Sequence, residues 1–369
     1  MGTSPMSKIA VAVVVVGTSL AMSCSHLTAS GSTAPARSTG HLSASHKSSP
    51  TSPPAHPQSG LHAELIDHLP GYGDELATTP GAVYVRWAVP VRSGVARVWR
   101  ISRYDVRFGR ITAVSPPIRG ATSMAVDESA LWVSANARVS GEPISGSLVK
   151  LDLSSLHVLD LVTLPTVVGG LGATSSGLWV GGVSRLLLVD PVADRIVRSV
   201  PTVGAVGRLA VDPRAGVLYD VTHRPGEETA IALEERDAAT GRLITRSTAI
   251  ESYTAINGLA VIPGNVWVAS AGGMSGLAER YTQQGLIRHR PPEGSLMGTN
   301  GLDVYATPGI LWADNPGGDV SCVDPLTGVS RDRLAQHRYL GAVTWLDGQV
   351  YNVIGHRLEH LLPGSACRG

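Results

Sequence analysis

Beyond residue 60 the hydrophobic pattern of this chain repeats. A short apolar strand with a central aromatic appears as Val83-Tyr84-Val85, Leu131-Trp132-Val133, Leu178-Trp179-Val180 and Leu218-Tyr219-Asp220. It returns as Val266-Trp267-Val268, Leu311-Trp312-Ala313 and Val350-Tyr351-Asn352. Successive aromatics lie 48, 47, 40, 48, 45 and 39 residues apart. A period of that length, with several strands in each unit, predicts a β-propeller.

The order inside each unit is constant. A small apolar strand comes first, as in Met124-Ala125-Val126, Leu209-Ala210-Val211, Leu259-Ala260-Val261 and Leu302-Asp303-Val304. Glycine and alanine suit the innermost strand, where blades crowd the channel. The aromatic strand follows, and its ring fills the space between blades. The third strand ends in a turn such as Val189-Asp190-Pro191, Asp237-Ala238-Ala239-Thr240-Gly241 or Val323-Asp324-Pro325-Leu326-Thr327-Gly328. Asp and Pro open such turns and Gly closes them. A fourth, outer strand completes the unit, as at residues 195–200. The last unit ends after its third strand, near residues 356–362, while residues 64–69 read as an outer strand preceding the first unit. The expected fold is therefore all-β: seven four-stranded blades over residues 61–369, with the N-terminal strand completing the last blade and leaving no open edge.

In that frame Trp132, Trp179, Trp267 and Trp312 are core between blades. Trp87 and Trp345 fall out of register and are candidates for a binding surface.

The N-terminus reads as an export signal over residues 1–23. Lys8 is followed by the apolar run of residues 9–20 and by Ala21-Met22-Ser23, with small residues at −3 and −1. The run is too short for an ordinary membrane-spanning helix. Ser-Leu-Ala-Met-Ser-Cys, ending at Cys24, resembles a bacterial lipoprotein lipobox. That resemblance implies an acylated Cys24 and a protein held on the outer face of the cell membrane; plain cleavage before Cys24 would release it instead. Residues 25–60 contain ten Ser, four Thr, five Pro and five Ala, with no Asp or Glu. Such a stretch buries too little apolar surface to offset its ordering entropy and reads as a tether.

Charge narrows the function classes. Thirty Lys and Arg stand against 29 Asp and Glu, so the chain lacks the basic excess of a nucleic-acid binder. Of the three cysteines, acylation of Cys24 leaves Cys322 and Cys367, an even pair suited to a disulfide in an oxidising compartment.

The Leu-Trp-Val strands, the Gly-Leu-Ala-Val-like strands and the Asp-Pro-x-Thr-Gly turns resemble bacterial propellers of the YVTN-repeat and virginiamycin B lyase-like group, over roughly residues 61–369. Two stretches, Ile256-Asn257-Gly258-Leu259-Ala260 and Asn300-Gly301-Leu302-Asp303, each followed by its aromatic strand, resemble the gluconolactonase/regucalcin family. There, polar residues atop the inner strands hold a divalent cation. This resemblance implies Asp74, Asn257 and Asn300 as ligands of Ca²⁺ or Mg²⁺ and, with the metal, a lactone hydrolase or lyase. Asn-Gly is equally a favoured tight-turn pair, which leaves a structural reading of the same residues open.

The lyases of the first group use a metal with a His and a Glu, and no copy of that constellation is present. Nor is there a Gly-x-Ser-x-Gly elbow, a Walker loop or a closely spaced Cys/His zinc pattern. The reading that follows is a monomeric, non-catalytic binding head without a cofactor. Its partner would be an envelope protein, a carbohydrate or a small molecule; a purely structural envelope scaffold is the third reading. Loops that interrupt the repeat carry the candidate binding face: Trp87, Asn136, His223, Glu227, Glu228, Asp314, Asn315 and His356.

Overall fold

The computed structural model describes residues 60–89, 98–139, 142–223, 230–247, 250, 256–270, 277–289, 303–314, 319–335 and 341–368. They form seven antiparallel sheets arranged as a seven-bladed propeller. Inner strands are Tyr72–Thr79, Ala121–Val126, Val168–Thr174, Ala205–Asp212, Ile256–Ile262, Asp303–Thr307 and Gly341–Leu346, in blades 1 to 7. Each lies beside the inner strand of the next blade, and that of blade 7 lies beside that of blade 1, so the ring closes.

Blade 7 takes its outer strand from the N-terminal side. His62–His68 pairs antiparallel with Arg357–Leu362, completing the sheet begun by Gly341–Leu346 and Gln349–Ile354. A disulfide joins Cys322, on the third strand of blade 6, to Cys367, after the last strand of blade 7. The Leu61 amide donates to the Asp332 carboxylate at 2.6 Å, tying the incoming chain to the same seam. Blade 1 differs from the others in its outer strand, which is interrupted at Pro116-Pro117 between Arg110–Val114 and Ile118–Arg119. Proline has no amide to give the ladder.

All seven repeat aromatics are buried on the second strands of their blades, each 1% exposed or less. Each shares a core cluster with the following blade: Tyr84 with Leu131 and Val133, Trp132 with Val180 and Leu187, and Tyr351 of blade 7 with Val83 and Val85 of blade 1. Removing one such side chain from water contributes about 2–3 kcal/mol. The Asp-containing turns complete this packing. Ala238 and Pro325 sit in the third-to-fourth turns of blades 4 and 6. Their carbonyls accept the indole N–H of Trp179 at 2.7 Å and of Trp267 at 3.0 Å, from the preceding blades. A buried Trp N–H requires such a partner.

Because every strand doubles back on its neighbour, the two ends of the propeller differ. First-to-second and third-to-fourth connections are tight turns at one end, here the turn end. Second-to-third and blade-to-blade connections lie at the other, the loop end. The chain enters blade 7 at the turn end, where residue 60 precedes the closing strand. Among the described residues no helix is long and apolar enough to cross a membrane.

Candidate functional site at the loop end of the channel

Strand register defines a ring of equivalent positions near the loop end of the inner strands. The residue two places before the one paired with each repeat aromatic is Glu75, Ser123, Gly170, Arg208, Gly258, Asp303 and Ala342, in blades 1 to 7. Four blades place a small residue there and three place a charge. Glu75, Arg208 and Asp303 come from non-adjacent blades, yet each carboxylate feels the Arg208 guanidinium, and Asp303 also feels Glu75. The three charges therefore face one another across the channel. Burial raises the Glu75 carboxyl, against the pull of Arg86. Burial likewise raises that of Asp303 to about 6, against Arg208, the Tyr305 hydroxyl and the Val304 amide.

The neighbours of the triad are held in place. Arg86 forms a two-point ion pair with Asp74, at 2.9 and 3.0 Å, reaches Glu75 at 2.8 Å, and stacks over Trp99 at 4.8 Å. Glu75 also accepts from the Met124 amide at 2.9 Å and from the Ser123 hydroxyl at 3.3 Å, clamping blade 1 to blade 2. The Tyr305 hydroxyl contacts Asp303 at 2.9 Å and the Gly341 carbonyl at 2.7 Å. The Asp303 carboxylate rests against Gly258, where a Cβ would lie 2.5 Å from it. Asn352 is fully buried beside Gly341, and neither its amide nitrogen nor its oxygen has a hydrogen-bond partner among the described residues. Tyr72, 55% exposed at the start of the blade 1 inner strand, stacks on His356 with centroids 4.2 Å apart.

The residues expected from sequence fare unequally. Trp87 is buried and donates its indole N–H to Ser102 at 2.9 Å, so it is interior packing and not part of an exposed surface. Asn136 is also buried; its amide donates to the Val168 carbonyl at 2.8 Å and accepts from the Val168 amide at 2.9 Å, acting as a strut between blades 2 and 3. His223 ends the second strand of blade 4, half-buried, its imidazole lying across Gly207. His356 lies in the second-to-third connection of blade 7 against Tyr72. Trp345 is half-buried at the turn end, away from these groups. Asp314 ends the second strand of blade 6, with its side chain outside the described residues. Cys24, Glu227, Glu228, Asn300 and Asn315 also lie outside them.

Of the three ligands implied for a channel cation, the described residues place only Asp74 in full. Asp74 and Asn257 share a place, the extra residue of a β-bulge one before Glu75 and Gly258. Asn300 lies three before Asp303, the register equivalent of Gly258, so it is not the counterpart of Asn257. Both Asp74 oxygens are committed to Arg86, whose positive charge opposes a cation there. The side chain of Asn257 lies outside the described residues. Among those residues no three His, Cys, Asp or Glu side chains gather as a metal site would require.

Comparison with known proteins supports the architecture alone. No protein-family model matches the chain, and no curated protein matches it in sequence. The crystal structure of the computationally designed Ika8 protein is similar in fold, with a TM-score of 0.55 and 10% identity over 81% of this chain and 98% of that one. It is among 1341 solved chains that match. A likeness so broad and so low in identity speaks for the propeller and leaves function to the site.

Glu75, Arg208 and Asp303 were not singled out in the sequence. The signal was present: a charge interrupts the small-apolar inner strand at Asp303, and Glu75 and Arg208 stand immediately before their Leu-Ala pairs.

Proposed function

We propose that this chain is a non-catalytic binding head. Its ligand, a small hydroxylated molecule such as a carbohydrate, enters the loop end of the channel and contacts Arg208 and Asp303, beside the Glu75 carboxylate. The observation that carries this reading is the charged triad drawn from three blades, with small residues at the other four positions leaving room between them. Donors and acceptors of both signs face one space. The five local charges, from Asp74, Glu75, Asp303, Arg86 and Arg208, nearly cancel, which favours hydrogen-bonding hydroxyls over a strongly charged ligand. We also propose that the head is exported and anchored through Cys24. The lipobox-like sequence and the tether composition support this. The Leu-Trp-Val strands and Asp-Pro-x-Thr-Gly turns favour kinship with YVTN-repeat propellers.

A thermal-shift screen of neutral saccharides and polyols on the full chain, followed by calorimetry of any hit, tests the site. Arg208→Ala and Asp303→Asn should each weaken the hit at least tenfold. A hit indifferent to both substitutions, or no hit at all, overturns the reading.

A further inference from the structure

A cavity opens at the turn end, opposite the triad. It has a volume of about 830 Å³, within the range of small-molecule sites. Its floor is the turn ends of three inner strands, at Val211, Val261 and Ala306. Its rim is three successive first-to-second turns, and each places a proline directly after its inner strand: Pro213, Pro263 and Pro308. A proline turn offers a rigid apolar ring and withholds an amide donor, so this wall is apolar and preformed.

The polar side chains that line the cavity are occupied within the protein, with one exception. Asp212 accepts from the amides of Arg214 and Ala215 with one oxygen and from Gln283 at 3.0 Å with the other. Gln283 in turn accepts from the Gly264 amide at 2.8 Å, welding the blade 4 turn to blade 5. Thr307 accepts from the Trp312 indole at 2.8 Å and donates to the Ile310 carbonyl. Only the exposed Arg214 side chain has no hydrogen bond or ion pair among the described residues. Asp212 carries the opposing charge, but its oxygens are turned to backbone amides and to Gln283.

We infer that this cup is a second binding site, for a small molecule with an apolar body and a single anionic head group. The prolines and inner-strand side chains receive the body, and Arg214 receives the head. A ligand rich in hydroxyls would find Arg214 as its one uncommitted side-chain partner among the described lining residues, which separates the cup from the loop-end site in chemistry as well as in place. A second cavity of about 430 Å³ begins at the same Pro308-Gly309 turn and runs past Trp345 to Arg368, giving a longer apolar chain room to extend.

Titration of the full chain with octanoate, and with 1-octanol as its uncharged counterpart, tests the inference. Saturable octanoate binding is expected, at least tenfold tighter than octanol. Arg214→Ala should reduce octanoate to the affinity of octanol and leave octanol unchanged. Ala215→Trp, on the exposed rim, should fill the cup and weaken both at least tenfold. Both side chains are exposed, so the melting temperature should hold, and Arg214→Ala tests the head-group contact even if the larger residue perturbs folding. Absence of saturable octanoate binding overturns the inference. So does octanoate affinity unchanged in Arg214→Ala, or binding untouched by Ala215→Trp.

Discussion

Asp303 occupies a position where other blades carry Ser123, Gly170, Gly258 or Ala342, and its carboxyl is half-buried in the channel wall. Burial lifts it from 3.8 to about 6. Between those values the folded chain retains a proton that the unfolded chain has released. Stability contributed by this group is therefore full below about pH 4, falls as pH rises towards 6, and is level above. The fall amounts to at most about 3 kcal/mol, less the screening by channel water. Asp303→Asn should flatten urea midpoints measured from pH 4 to 7; an unchanged slope would place the proton elsewhere. Two further departures from the repeat are buried rather than channel-facing. Asp220 and Asn352 stand where four other blades carry valine after the aromatic and blade 6 carries Ala313, and Asp220 is held by Arg236 at 2.6 Å. Both substitutions are visible in the sequence. Their burial is not, because a polar residue on a strand reads as solvent-facing until its neighbouring blade is known.

At the scale of the blade, aromatic strand and turn form one device that reaches across a seam. Gly241 shows how tightly: its φ of +72° is left-handed, and a Cβ there would lie 2.6 Å from the Trp179 ring of the preceding blade. The turn motif thus serves two needs, chain reversal and acceptance of a neighbour's ring. The closing seam has its own devices, the borrowed outer strand and the Cys322–Cys367 bridge, whose cysteines are 45 residues apart. Loop-closure entropy assigns such a bridge about 4 kcal/mol at most. The Cys322→Ser/Cys367→Ser chain should unfold at lower urea than the parent, and a reductant should lower the parent's midpoint to the same value. Equal midpoints throughout would mean that the borrowed strand closes the ring unaided. Strands, turns and the borrowed strand were legible because each is a contiguous pattern. Trp87 was misread because a large ring at a strand end can turn inward as readily as outward. Asn300 was misaligned because equivalence follows pairing register, which a shared Asn-Gly does not reveal.

For the whole molecule, the contrast between the two ends carries most meaning. The loop end of the channel brings charges together, whereas the cup at the turn end sets proline rings beside Arg214. The described chain begins at the turn end, ahead of the closing strand. Cys24→Ser should move the protein from the membrane fraction to the medium, with its thermal transition unchanged. Retention of the variant in the membrane fraction would exclude lipid anchoring at that residue. By itself the sequence determined the number of blades, their strand order and the strand that closes the ring, because each depends on residues close together in the chain or on a strand left without a place. Only the tertiary structure decided what the channel contains. Glu75, Arg208 and Asp303 lie far apart in sequence and come together because ring closure turns the same strand position of each blade towards one axis. The proline-rimmed cup has the same origin: three ordinary turns become one wall when successive blades stand side by side.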